Sequence, residues 1–442
     1  MACHSRSIRV GIRVLCSIAL LYVLPASAAN WLLIQGTEPA TAPAYRPFGF
    51  MGIEYQRTGD SQIAAGPFKG QPLVPNRIGP RLENASELQF SHARLGLRGR
   101  LFDGKLNYLV SALAGDNGIS RNGPPNVKLT DLSFTFNPIP HARVRIGQFK
   151  QPGSEEGLQP AVLRDYIHLT GISRQIINER FFDSDGTLKN DANVFDGPLS
   201  GWRDTGIQIF DAFKAGAWEH TYALMVGTGT GSAIYNDSGS GRPDGYLFWS
   251  SERIFGGKGA FRDGLKLTGW YQDGERELRT GAEQKTETFD RKRYGLGTVF
   301  RRSPWSIAAE WIKADGMVFN GTDGGAAPGS VSNNGNMISG FNVLPEGEAD
   351  GWYLDGGYRL FDDWELRARY DRLNRGTNGK ETERRFETIT LGVTYRPHKK
   401  VRILADYAFR QAEAPGLSGS ATPNRILSEL DDVFAVKIWI RL

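Results

Sequence analysis

The sequence predicts an all-β protein, a transmembrane antiparallel β-barrel of about sixteen strands with one long loop folded into its interior. Three observations predict this fold. No stretch after the first 30 residues contains ~18 consecutive apolar residues, which excludes membrane-spanning helices. The 442 residues include 54 glycines and 11% aromatic residues, as expected of a barrel that faces lipid outside and water inside. Short and long connections alternate along the chain.

Residues 1–28 are predicted to be a signal peptide, which leaves residues 29–442 as the barrel domain. Three arginines precede an apolar stretch at residues 14–24, and small residues at 26 and 28 fit the cleavage rule. This apolar stretch is too short to span a bilayer as an anchoring helix. We therefore expect an exported chain.

Cleavage changes the charge and the thiol content of the chain. The only cysteines, Cys3 and Cys16, lie in the signal peptide, so we predict no disulfide and no cysteine metal site in the mature protein. Loss of the three arginines leaves 50 basic and 48 acidic residues, a net charge of about +2. This near-neutral balance predicts no nucleic-acid partner. We expect no metal and no cofactor.

Alternating apolar and polar side chains predict the strands. In the clearest run, residues 93–101, Leu95 and Leu97 share one face, whereas arginines occupy the other. The apolar face of a membrane barrel meets lipid and the polar face meets water in the pore. A half-buried strand of a soluble sandwich is the alternative. Further alternating segments are residues 132–136, 143–146, 389–395, 401–410 and 434–442.

Turn-forming and polar residues predict the connections. Short turns are expected at residues 102–104, 137–141, 211–216, 256–264, 302–304, 361–363 and 396–399. Long loops are expected at residues 57–87, 115–126, 151–200, 228–245, 273–290, 316–350, 374–384 and 411–431. Seven short and eight long connections give sixteen strands, with turns at one rim and loops at the other. Trp305, Trp352, Tyr353 and Trp364 are predicted to form an interfacial aromatic girdle.

Four segments in the same order resemble the phosphate-selective porin O and P family of Gram-negative outer membranes. They are residues 93–99 (ARLGLRG), 144–150 (VRIGQFK), 203–206 (RDTG) and 351–358 (GWYLDGGY). The resemblance implies a sixteen-stranded homotrimer in the lipid bilayer of the cell outer membrane. It also implies passive diffusion of small hydrophilic solutes, with phosphate or pyrophosphate favoured by some members. A non-selective or organic-solute porin remains the alternative.

The candidate channel residues are the cations predicted to face the pore. On two neighbouring strands and at the start of the longest loop we expect anion-guiding side chains, because a row of arginines can pass an anion between weak sites and offers paired donors to phosphate. These residues are Arg94, Arg98, Arg100, Arg143, Arg145 and Lys150. Ion pairs with inward acids such as Asp131 are the alternative. A second set on the far side of the barrel is Arg291, Arg293, Arg367, Arg369 and Arg402.

The longest loop, residues 151–200, is predicted to fold inward and to narrow the pore. Its arginines are Arg164, Arg174 and Arg180, and its acidic residues outnumber its basic ones. The sequence contains no Gly-x-Ser-x-Gly elbow and no histidine pair at metal-ligand spacing, so we predict no enzymatic activity. A barrel enzyme and an adhesin are the less favoured alternatives.

Overall fold

The computed structural model describes residues 30–66, 69–79, 84–117, 127–178, 202–229, 242–259, 261–280, 285–321 and 341–442. The predicted signal peptide and Arg180 lie outside these residues. The strands are β1 (Arg46–Thr58), β2 (Ser86–Leu101), β3 (Leu106–Ala114), β4 (Val127–Phe136), β5 (Arg143–Lys150), β6 (Arg203–Ala215), β7 (Trp218–Gly227), β8 (Asp244–Gly256), β9 (Asp263–Thr280), β10 (Lys285–Arg302), β11 (Trp305–Asp315), β12 (Val318–Gly321), β13 (Phe341–Leu344), β14 (Glu348–Arg359), β15 (Trp364–Arg375), β16 (Arg384–His398), β17 (Val401–Glu413) and β18 (Val433–Arg441). Three short helices are α1 (Trp31–Gly36), α2 (Glu155–Leu158) and α3 (Thr422–Leu427).

Sixteen of these strands close into one antiparallel barrel, and β12 pairs only with β13 in a separate hairpin. The barrel closes between β1 and β18, with Phe50 opposite Arg441 and Thr58 opposite Val433. This architecture confirms the predicted sixteen-stranded barrel. In the described part of the chain, no helix is both long and apolar enough to cross a membrane.

The strand pleat sorts side chains between lipid and lumen as the alternation predicts. On β2 the side chain of Leu95 is 64% exposed on the outer surface, whereas its neighbour Arg94 points inward to side chains of β3 and β4. On β18 Ile438 is exposed and the adjacent Lys437 and Trp439 are buried in the lumen. Apolar residues therefore cover the outside, and charged residues line the inside.

The order of short turns and long loops is confirmed, with two corrections to their positions. The predicted loop at residues 273–290 is wrong, because β9 and β10 continue almost to its tip. Both faces of a strand that extends beyond the lipid meet water, so such a strand lacks an apolar face that would reveal it. The predicted turn at 211–216 is shorter, since β6 extends to Ala215 and β7 begins at Trp218.

Aromatic rings form pairs on the outer surface beside the short turns. The ring centroids of Trp305 and Tyr358 are 4.5 Å apart, as are those of Trp364 and Tyr395. These pairs match a girdle at the lipid–water boundary. The prediction for Tyr353 is wrong, because this side chain is buried in the lumen and its hydroxyl donates to Glu310 at 3.2 Å.

The lumen contains two segments of the polypeptide as well as the inward-facing side chains of the strands. We call residues 30–45 the N-terminal segment and the described part of the longest loop, residues 151–178, the inner loop. Both contribute to a cluster of buried apolar residues with the inward-facing side of β6 to β15. Its largest members are Trp31, Trp202, Trp270, Tyr353, Phe210 and Phe248. The predicted inward fold of the longest loop is thus confirmed for residues 151–178, and the N-terminal segment was not predicted.

Candidate functional site

The inward-facing residues of β2 to β6 form one side of the lumen, which we call the near wall. Arg94 of β2 and Arg203 of β6 both form ion pairs with Asp131 of β4, and Arg203 Nε lies 3.1 Å from Asp131 Oδ1. Arg143 of β5 forms an ion pair with Asp211 of β6. These pairs correspond to the alternative to anion guidance, in which carboxylates such as Asp131 hold the arginines and stiffen the wall.

The remaining near-wall cations contact mainly backbone carbonyl oxygens. Arg98 donates to the carbonyl oxygens of Ile34 (2.7 Å) and Thr37 (2.9 Å) and also forms an ion pair with Glu38. Arg100 donates to the carbonyl of Ala40. All four of these partners belong to the N-terminal segment, which therefore covers this part of the wall.

Two further predicted cations are deeply buried, Arg145 beneath the N-terminal segment and Lys150 beneath the inner loop. Arg145 is 0% exposed, and its guanidinium carbon lies 5.0 and 4.4 Å from the ring centroids of Phe149 and Phe210. The ammonium of Lys150 donates to the carbonyl oxygens of Gly157 (2.7 Å), Leu158 (3.2 Å) and Gln159 (2.7 Å) in the inner loop. Backbone carbonyl oxygens thus surround Lys150, whereas Arg145 lies mainly against aromatic rings.

The inward-facing residues of β9 to β17 form the opposite side, which we call the far wall. Here the cations contact the inner loop. Lys266 Nζ lies 2.5 Å from Glu155 Oε2, Arg369 Nη1 lies 3.4 Å from Glu156 Oε1, and Arg367 Nη2 lies 3.2 Å from Asp165 Oδ2. The three carboxylates of the inner loop are therefore paired with cations of the far wall.

Further contacts fix the inner loop across the lumen. Arg402 donates to the carbonyl of Arg164 at 2.6 Å, and Arg293 donates to the carbonyl of Ile176 at 3.1 Å. Wall carboxylates accept from the loop backbone, with Asp406 2.7 Å from the amide of Ile167. Arg291, the remaining member of the predicted far set, is also buried on β10. The far-wall arginines thus hold the loop in place.

The two described arginines of the inner loop have different surroundings. The guanidinium carbon of Arg164 lies 5.6 Å from the ring centroid of Trp202, whereas Arg174 is exposed.

Glu155 connects the inner loop to the far wall and to the N-terminal segment. One of its carboxylate oxygens contacts Lys266, and the other accepts from Trp31 Nε1 at 2.8 Å. Burial raises the pKa of Glu155, but the charge and hydrogen bond of Lys266, the Arg301 charge and the hydrogen bond from Trp31 together outweigh this effect and hold the pKa below its usual value.

The N-terminal segment is the functional feature that the sequence analysis missed. A signal for it exists, because the apolar run Trp31-Leu32-Leu33-Ile34 follows Asn30, a favourable N-cap residue. Asn30 does cap α1, accepting from the amide of Leu32 at 3.1 Å. An apolar helical turn that precedes the first strand of an otherwise polar chain indicates a segment that packs inside the protein.

The comparisons with known proteins agree with this architecture. The sequence model of the phosphate-selective porin O and P family matches residues 271–416, which confirms the resemblance over that stretch. The fold is similar to that of OmpF of Salmonella typhi in complex with daunomycin, with 10% identity, TM-score 0.55, and 90% of this chain and 97% of that chain covered. For Pseudomonas putida OprB the values are 9%, 0.55, 90% and 94%.

A third similar structure is the outer membrane channel DcaP of Acinetobacter baumannii, with 11% identity, TM-score 0.50, and 92% of this chain and 100% of that chain covered. None of the curated protein sequences compared with the chain matches it. At such low identities the structural likeness shows the fold alone. The chain has the fold of an outer-membrane porin.

Proposed function

We propose that the protein is an outer-membrane porin through which small hydrophilic anions, such as phosphate or pyrophosphate, diffuse passively. One observation carries the proposal. Within the ranges that the structure describes, the near-wall cations Arg100, Arg145 and Lys150 contact carbonyl oxygens and no carboxylate. The near wall therefore keeps a surplus of positive charge, whereas the far-wall cations Lys266, Arg367 and Arg369 are paired with the acids of the inner loop.

This surplus acts locally. Screening in physiological salt extends over ~8 Å, so only charges near the narrowest part of the lumen affect a passing ion. Arginine remains charged at any working pH and offers several donors to a phosphate or carboxylate. We expect the row from Arg94 to Lys150 to give a modest preference for anions, although the mature chain is almost neutral.

The filled lumen favours small solutes over large organic ones. Bulky side chains such as Trp270 and Phe248 pack against the inner loop and the N-terminal segment, which narrows the path for water and solutes. A channel sorts solutes by width and charge, and this proposal assigns no bond chemistry to the protein. Export by the predicted signal peptide and assembly into a homotrimer belong to the same proposal.

The test is the current through purified protein in a planar bilayer with potassium chloride solution on both sides. We expect stepwise channel openings and a chloride current that falls when phosphate or pyrophosphate is added. Stronger inhibition by organic acids than by phosphate would favour the organic-solute porin. Protein that folds and inserts without conducting would contradict the channel function. The mass of the detergent-solubilised complex tests the trimer.

A further inference from the structure

The N-terminal segment contacts β2, β3 and β7 mainly through side chains, and one backbone hydrogen bond, from the amide of Arg100 to the carbonyl of Pro43 at 3.3 Å, joins its end to β2. Asn30 Nδ2 donates to Thr221 Oγ1 at 2.5 Å, and Tyr108 donates its hydroxyl to the carbonyl of Ala44 at 2.8 Å. The segment leads directly into β1, where Arg46 pairs with Arg98 near the short turn after β2. Withdrawal toward the rim of short turns would therefore break this backbone hydrogen bond and the side-chain contacts, but no pairing between the sixteen barrel strands.

Glu38 occupies a buried position between two arginines. Its side chain is 2% exposed, Oε2 lies 2.6 Å from Arg46 Nη2, and Oε1 accepts from Arg98 Nε. Each carboxylate oxygen thus meets one guanidinium. Two converging guanidinium groups recognise a small carboxylate or phosphate by the same charge-assisted hydrogen bonds.

The arginine beneath α1 is poorly satisfied while the segment is in place. A Cβ atom at Gly36 would lie within 2.2 Å of three guanidinium atoms of Arg145, so a larger residue there would require this guanidinium to move. Among the described residues, Arg145 donates one hydrogen bond, to the carbonyl of Leu32 at 3.5 Å, and its Nε and Nη1 atoms have no partner there. Within the same ranges, the adjacent Gln208 has no partner for either amide atom.

Buried polar and charged groups without partners destabilise the arrangement that buries them. Removal of the segment would expose Arg145 and Gln208 to water and to anions, and it would free Arg98 from Glu38. The covered state therefore competes with an uncovered state that contains an anion.

We propose that Arg46 and Arg98 form an anion-binding site that Glu38 occupies in the resting channel, and that a small carboxylate or phosphate solute takes its place when residues 30–45 withdraw. This inference rests on the proposed anion channel. The N-terminal segment is then an internal competitor of the solute, and its position regulates access to Arg98 and Arg145.

The first experiment locks the segment with a reducible disulfide. Asn30→Cys combined with Thr221→Cys joins two positions whose side chains touch, and the mature chain is predicted to contain no other cysteine. We expect reduction to raise the single-channel chloride conductance and to make inorganic phosphate inhibit it several-fold more strongly than in the oxidised channel. Equal conductance and equal inhibition before and after reduction, with the disulfide verified, would overturn the inference. Asn30→Cys alone, under the same oxidant and reductant, is the control.

The second experiment removes the internal carboxylate. Glu38→Gln should make phosphate inhibit the chloride current at a several-fold lower concentration. The matched control is Glu219→Gln, which removes a buried carboxylate paired with Arg262 away from the segment and should leave phosphate inhibition unchanged. Equal shifts in both variants would indicate a net-charge effect and would overturn the inference. An anion-selective channel that ignores phosphate in every variant refutes the inference alone, whereas a wild type that forms no channel refutes the proposed function.

Discussion

The near and far walls of the lumen use the same residue types in opposite ways. On the far wall Arg367 lies among three carboxylates, Asp355 at 2.6 Å, Glu365 at 2.5 Å and Asp165 of the inner loop at 3.2 Å. On the near wall Arg145 and Lys150 are buried against aromatic rings and carbonyl oxygens. Far-wall cations paired with carboxylates thus anchor the inner loop, while Arg145 and Lys150 keep their positive charge on the near wall.

This contrast separates two roles of an arginine inside a barrel. A buried ion pair holds two elements together, and the loss of one partner leaves an uncompensated charge. A cation that contacts only carbonyl dipoles leaves much of its field available to a passing anion. A side chain that points into the lumen therefore does not necessarily guide ions. Whether it does depends on whether its partners are carboxylates or carbonyl oxygens.

The largest expected effect comes from deleting the inner loop, which the far wall holds in place. Deletion of residues 155–198 should raise the single-channel conductance several-fold, because the inner loop crosses the lumen and fills much of it. Deletion of residues 377–382, between β15 and β16, is the control and should change the conductance little. An unchanged conductance after the first deletion would mean that the inner loop does not restrict the pore.

The second prediction compares single arginines from the two walls. Arg367→Met should lower the free energy of unfolding by about 3–5 kcal/mol, since it leaves buried carboxylates unpaired. Arg100→Met should lower it by less than about 1 kcal/mol, because that guanidinium contacts carbonyl oxygens beside an exposed turn. Denaturant titration followed by tryptophan fluorescence measures both values. Equal losses would remove the distinction between anchoring and uncompensated arginines.

The smallest expected effect is the pH dependence of the anchor at Glu155. Its pKa lies below the usual value in the folded protein, so the contact with Lys266 contributes fully above pH ~4.3 and is lost as the pH falls through the lower folded value. We expect a steady conductance from pH 7 to 5 and a rise at lower pH. The acid-induced rise should be smaller in Glu155→Gln, and an identical acid response would contradict this assignment.

The fold was predictable because lipid imposes a strict pattern. Leu95, Ile146 and Leu391 are exposed to the outside as their alternation requires, and every short turn of the barrel falls at or beside its expected place. The extension of β9 and β10 was not predictable, because no apolar face marks a strand surrounded by water.

The partners of the inward arginines were less predictable than their orientation. Asp131 was named as a partner because it lies on a neighbouring inward face, and it does pair with Arg94. Glu38 lies outside any strand, so no periodicity connects it with Arg98. The contact between Arg367 and Asp165 joins residues 202 positions apart in the chain and depends on how the loop crosses the lumen.

The most direct test of the central claim is the zero-current potential across a potassium chloride gradient. Wild type should be modestly anion-selective, and Arg98→Ala combined with Arg145→Ala should shift the potential toward the cation side, since both changes act on the near wall. The far-wall variant Arg369→Ala, which removes a cation paired with Glu156 of the inner loop, should shift it less. A cation-selective wild type, or an anion selectivity that the near-wall double variant leaves unchanged, would contradict the account.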